Sequence, residues 1–88
     1  MNRELAHESQ KYISEQLDKA GNSIEMSPDC PISVCYSEVN SVYKKDGKIY
    51  LDTEDCDEYP IESCSAIEMC DVASAIEYVV ECVTSEND

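Results

Sequence analysis

The chain has 88 residues, with 20 Asp plus Glu against 6 Lys plus Arg, so its formal net charge is −14 and its pI is near 4.1. This balance excludes most nucleic-acid binders. Gripping phosphates requires Lys and Arg to replace condensed counterions, and a chain this acidic is repelled by DNA, RNA and anionic membranes alike. A single domain of this length buries about 60 to 65% of its extended surface, which suffices for a small core but not for a large enzyme fold with a deep cofactor cleft. The 42% hydrophobic content marks the chain as folded rather than disordered.

From Asn2 to Ala20, the apolar residues Leu5, Tyr12, Ile13, Leu17 and Ala20 fall at helical spacing and predict an amphipathic helix with one narrow stripe. Asn2 is a capping residue type, and Gly21-Asn22 tolerate the left-handed conformation that closes a helix. Residues 22 to 31, with Pro28 and Pro31, read as a loop. Between Ile32 and Thr53 the period changes to two. Ile32, Val34 and Tyr36 alternate with Ser33, Cys35 and Ser37, and two further strand-like runs flank Asp46-Gly47. Asp-Gly is a strong hairpin signal because both central residues of the favoured turn need positive φ. Pairing across it sets Lys45 opposite Lys48, Lys44 opposite Ile49, Tyr43 opposite Tyr50 and Val42 opposite Leu51. Val42, Ile49 and Leu51 then face the core, while Tyr43, Tyr50, Lys45 and Lys48 occupy the other face. Asn40-Ser41 is the expected bend.

Ser65-Ala66-Ile67-Glu68 fits the Ser-x-x-Glu capping box and opens a second helix expected over residues 65–84. Its apolar face is expected to hold Ile67, Cys70, Ala73, Ile76, Val80 and Val83, widened by Met69, Val72 and Val79. Asp71, Glu77 and Glu81 fall with Ser74 and Ser85 in one exposed arc. The order helix, antiparallel hairpin or three-stranded sheet, helix predicts a single α+β two-layer domain over residues 1–88, with both helices on one sheet face.

The six cysteines, Cys30, Cys35, Cys56, Cys64, Cys70 and Cys82, would suggest three disulfides in a secreted chain. The N-terminal residues have the polarity of a cytoplasmic protein, with no apolar signal-peptide core, and no run is long enough to span a membrane. Reduced thiols acting as core filler are therefore expected. No pair has CxxC spacing, and the lone His7 adds little to a zinc site. An EF-hand loop started at Asp52 fails as well, because Cys56, Asp57 and Ser63 stand where an acid, a Gly and a Glu belong. No cofactor and no catalytic residue is expected. Paired carboxylates need a pocket that separates their pKa values, and a Cys nucleophile needs a His that nothing in the sequence brings to it. Tyr43 and Tyr50 on the outer hairpin face suit either a partner interface or cross-strand packing.

The charge is segregated. Residues 1–48 hold all six basic residues and eight acids, net −2, whereas residues 49–88 hold twelve acids and no Lys or Arg, net −12. Its densest part is Asp52-Thr53-Glu54-Asp55-Cys56-Asp57-Glu58, followed by Glu62 and then by Glu68, Asp71, Glu77 and Glu81. Same-face residues repeat at about 7 Å on a strand and 5 to 6 Å on a helix, close to the spacing of successive phosphates. A charged run is ordinarily a solvated face, but solubility needs a net charge of only about 2 to 8 in a small domain, with both signs interspersed. The excess and the segregation point to selection for the field itself.

In size, charge and layout, with carboxylates massed on Asp52 to Glu58 and on the Glu68, Asp71, Glu77, Glu81 helix, the chain resembles the small phage-encoded anti-CRISPR and DNA-mimic proteins. Several of those families have a helix, hairpin, helix order. The resemblance implies a stoichiometric inhibitor, acting in the bacterial host cytoplasm, that fills the Lys- and Arg-lined nucleic-acid groove of a CRISPR effector. The expected partner-binding residues are Asp52, Glu54, Asp55, Asp57, Glu58, Glu62, Glu68, Asp71, Glu77 and Glu81. The expected partner is a basic nucleic-acid-binding protein, with no direct contact to nucleic acid or membrane. Two alternatives stand beside this reading: an immunity protein or antitoxin that neutralises a basic nuclease, and, from a different class, a cysteine-based metal or redox module.

Overall fold

In the computed structural model, the backbone of residues 2–87 and the side chains of residues 6–82 are described. The expected Asn2 cap and the packing of Leu5, Val83 and Ser85 lie outside these side chains.

The first helix, α1 (Asn2–Lys19), buries Ile13 and Leu17 completely, with Ser9 one turn before Ile13 on the same stripe. Its closure is the one the residue types predict. Gly21 and Asn22 both take positive φ, at 79° and 73°, and the Asn22 N–H reaches back to the Leu17 carbonyl at 2.7 Å. That bond satisfies a helix-end carbonyl that would otherwise lack a partner. Ala20, expected on the stripe, is exposed because the helix has already ended.

The chain then enters a five-stranded antiparallel sheet made of β1 (Ser23–Glu25), β2 (Ser33–Val34), β3 (Ser37–Lys45), β4 (Lys48–Thr53) and β5 (Tyr59–Pro60). Its order is β1-β3-β4-β5, with β2 also paired to β3. The β3–β4 hairpin has the expected register, Val42↔Leu51, Tyr43↔Tyr50, Lys44↔Ile49 and Lys45↔Lys48. Asp46 and Gly47 supply the two positive φ angles, 54° and 77°. A register irregularity between Val39 and Ser41 marks the bend expected at Asn40-Ser41. The extra residue shifts the phase of alternation, so Val39 and Val42, three positions apart, are both buried.

Two expectations for this region need correction, and one further strand joins the sheet. Residues 22–31 are not all loop, since Ser23–Glu25 pairs with β3 as Ser23↔Tyr43, Ile24↔Val42 and Glu25↔Ser41. Such a strand has a single buried apolar residue, Ile24, and three residues carry too little alternation to be read from sequence. Tyr36 does not continue the alternation of Ile32 and Val34. The chain reverses at Cys35-Tyr36, so that β2 pairs back on β3 as Val34↔Ser37, and Tyr36 is fully exposed at the apex. Finally, β5 pairs Tyr59 with Leu51 and Pro60 with Tyr50 at the end of the strand order, where proline's missing N–H leaves no ladder bond unmade.

A short 3-10 turn (Ile61–Ser63) leads into the second helix, α2 (Ala66–Asn87). The capping box is formed on both sides. The Glu68 N–H donates to Ser65 Oγ at 3.2 Å, and the Ser65 N–H donates to Glu68 Oε1 at 2.8 Å. The buried face of α2 consists of Met69, Val72, Ala75 and Ile76. Ile67, expected at the head of that face, is 72% exposed. The face is rotated toward the residues expected only to widen it, with Cys70, Ala73, Val79 and Val80 half-buried at its borders. Both helices and the inner sheet face, with Ile24, Val34, Val39, Val42, Ile49, Leu51 and the turn residue Ile61, enclose one core. Lys44 shares the inner face of Val42 and Ile49, but its ammonium reaches out to α1, 2.9 Å from Ser14 Oγ and 2.8 Å from Asp18 Oδ1.

Candidate partner interface

Seven residues, Asp52 to Glu58, carry five of the ten expected binding residues, and the fold holds them in a defined shape. Thr53 is buried and ties the loop to itself. Its N–H and hydroxyl both donate to the Cys56 carbonyl, at 2.8 and 3.0 Å, while the Cys56 N–H donates to Thr53 Oγ1 at 3.0 Å. The Glu54 N–H donates to the Glu38 carbonyl at 3.0 Å, and the Asp55 N–H donates to Ser37 Oγ at 3.1 Å. Tyr43 then donates its hydroxyl to the Asp57 carbonyl at 2.8 Å, and Lys45 pairs with Glu58 at 3.1 Å. Backbone and Thr, Ser and Tyr side chains make these ties, so the carboxylates of Glu54, Asp55 and Asp57 stay exposed; Glu58 is exposed too, beside Lys45. Asp52 is half-buried on β4.

Tyr43 is thereby assigned a structural task. Its ring lies 5.7 Å from that of Tyr50, tilted by 31°, and its hydroxyl anchors the loop, so this pair shows the cross-strand packing. Burial is the first cause, and the nearby Glu58 the second, of a Tyr43 hydroxyl pKa raised above the usual phenol value.

The remaining expected residues lie on other elements. Glu62 is exposed on the 3-10 turn, and Asp71, Glu77 and Glu81 are exposed on α2. Glu77 and Glu81 are about 14 and 20 Å further along the helix axis than Glu68 at 1.5 Å per residue. Both raise the pKa of the Tyr12 hydroxyl on α1, after burial as the larger cause, which places them beside the seam between the two helices.

Glu68 departs most from its expected role. It is half-buried, and its carboxylate accepts three things at once: the Ser65 N–H at one oxygen, the Cys35 N–H at the other at 3.0 Å, and the field of the helix start. The Ser65 N–H, then the Cys35 N–H, hold its pKa below the ordinary carboxylate value. Glu68 is therefore a brace between α2 and the β2–β3 turn rather than a free charge for a partner.

The brace brings into the site residues that sequence reasoning did not single out. Glu38 is exposed on β3 next to the loop it helps to hold. Cys35 and Tyr36 form the β2–β3 turn with φ angles of 49° and 65°, and Cys35 Sγ shares a 3.0 Å hydrogen bond with the Tyr59 hydroxyl. That contact is the main cause of a Tyr59 pKa pushed up to about 12. Nothing in a Cys-Tyr dipeptide signals such a turn, so no local reading could have found it.

The thiols are not uniformly core filler. Cys64 is buried, and burial pushes its pKa up to about 12, which leaves it protonated and inert. Cys30 and Cys70 are half-buried, whereas Cys35, Cys56 and Cys82 are exposed. Among the described residues, no group of three His, Cys, Asp or Glu side chains is placed to hold a metal ion. Nor is any described helix long and apolar enough to cross a membrane.

Of the described lysines, Lys45 meets the loop, at Glu58. Lys44 is taken up by Asp18 and Lys45 by Glu58, while His7, Lys11 and Lys48 line a cleft of about 430 Å³ between α1 and the hairpin, with Glu62 at its wall. No family model matches this chain, and no curated protein or solved structure is detectably similar to it.

Proposed function

We propose that this protein is a stoichiometric inhibitor that mimics nucleic acid and occupies the basic DNA- or RNA-binding site of a partner, with a CRISPR effector complex as the leading target. The observation that carries this reading is the acidic loop tied down by hydrogen bonds. Glu54, Asp55, Asp57 and Glu58 project from a backbone tied to Thr53, Ser37, Glu38 and Tyr43. A charged run kept only for solubility needs no such scaffold, whereas an imitation of a phosphate backbone does, because ordering the carboxylates in advance removes an entropic cost of binding. Steering by the −12 half speeds encounter with a basic groove, and affinity falls with salt.

The test is capture from a bacterial lysate at low and high salt, with the retained proteins identified and then assayed directly. One basic nucleoprotein, displaced by competing DNA and by salt, is the expected result. Replacing Asp55→Asn, Asp57→Asn and Glu58→Gln together should weaken that complex by about 10- to 100-fold at low salt, as loss of several complementary charges does. Thermal stability should hardly change, since the loop's backbone ties remain. Unchanged affinity would remove the mimic reading. Recovery of a basic nuclease from the same capture would instead favour the immunity-protein alternative, which uses the same surface.

A further inference from the structure

The tip of the β2–β3 turn is the most exposed apolar point described in the molecule. Tyr36 is fully exposed, and Ile67, at the start of α2, is 72% exposed. The two are joined through one bond, since the Cys35 N–H donates to Glu68 at 3.0 Å and each residue is the chain neighbour of one end of it. Cys35 and Tyr36 both hold positive φ, a conformation suited to Gly, Asn or Asp and costly for a side chain with a bulky Cβ substituent. Neither Tyr36 nor Ile67 contributes to the core, so burial at home does not offset that cost.

Its surroundings are acidic and ordered. Glu38 follows two residues after Tyr36, the Glu54 N–H is bonded to Glu38, and the Asp55 N–H to Ser37. An exposed aromatic tip on a strand that the acidic loop is tied to has the makings of a binding hot spot, in which one aromatic anchor enters a slot and neighbouring charges set orientation.

We infer that Tyr36, supported by Ile67, is the anchor of the partner interface, inserting into an apolar slot bordered by Lys and Arg on a basic protein. This rests on the proposed acidic-mimic function and deepens it: the carboxylates bring the partner in, and the tyrosine selects among basic surfaces. A nucleic acid has no counterpart to such a tip, so the device is one that distinguishes a protein partner's groove from any polycation.

The test uses the full chain and an array of short synthetic peptides in which Lys and Arg density and apolar content vary independently. The wild type should bind peptides that are both basic and apolar about tenfold more tightly than equally basic polar ones, the scale of a single anchor residue. Tyr36→Ala should bring that ratio close to one and leave binding to the polar basic peptides unchanged, with Ile67→Ala intermediate. The double replacement Cys35→Asn, Tyr36→Gly suits the turn's backbone and must give the same loss, which separates anchor removal from misfolding. A ratio that survives Tyr36→Ala, or a wild type that binds basic peptides without apolar preference, overturns the anchor while the acidic-mimic reading stands. A wild type that binds no basic peptide overturns both.

Discussion

Two turns of this molecule have the same backbone and opposite chemistry. The β3–β4 hairpin and the β2–β3 hairpin each reverse in two residues, and in each both residues have positive φ: 54° and 77° at Asp46 and Gly47, 49° and 65° at Cys35 and Tyr36. Asp-Gly takes this conformation readily, and nothing stands within 4 Å of where a Cβ on Gly47 would lie, so that turn is a local solution to a local need. Cys-Tyr is a poor choice for the same geometry. It persists because Glu68 accepts the Cys35 N–H and Tyr59 meets the Cys35 thiol, so tertiary contacts hold what local preference opposes. One turn thus follows local preference, and the other is held against it by contacts from distant parts of the chain.

Replacing Cys35-Tyr36 by Asn-Gly should sharpen that contrast most. Left-handed backbone costs an ordinary residue about 1 to 2 kcal/mol, so relief at two positions should stabilise the fold by about 2 kcal/mol, read as a higher denaturant midpoint. A variant no more stable than the wild type would mean that the Cys-Tyr turn carries no strain.

Removing the brace should act in the other direction. Glu68→Gln is expected to lower stability by about 1 kcal/mol at neutral pH, the scale of a charge-assisted bond at a partly open helix cap. Because the folded state holds the Glu68 pKa below its ordinary 4.5, the contribution is present above that value and is lost as pH falls through the folded value. Wild type and variant should therefore converge in acid. A difference that stays constant between pH 7 and pH 3 would assign the effect to packing instead.

The smallest change is expected at the relaxed turn. Gly47→Ala introduces a Cβ into open space, so its whole effect is the backbone cost of about 1 kcal/mol. Partner binding should be untouched, in contrast to the Cys35-Tyr36 replacement, and titration of both variants against the same partner would show whether the two turns differ in function as they do in chemistry.

The legible parts of the fold share a property: each signal lies within a few residues. The Asp46-Gly47 turn specifies its own register, the Ser65 to Glu68 box its own helix start, and Gly21-Asn22 their own helix end. The edge strands β1 and β5 were not legible, because two or three residues with at most one buried side chain have no period to detect. The acidic loop was visible as composition, but its shape depends on ties to Ser37, Glu38 and Tyr43, which are 14 to 18 residues away along the chain.

By itself, the sequence determined the sign of the molecule's own field, the two helices and the central hairpin, since charge adds without regard to geometry and helix and hairpin signals are local. Only the tertiary structure decided which carboxylates are free. Glu68, one acid among many in the sequence, became a brace because the reversal at Cys35 brings an N–H to it across 33 residues. The same reversal set Tyr36 outside the core. A buried face is chosen by what packs against it, and that choice is made between elements distant in the chain, beyond the reach of any local pattern.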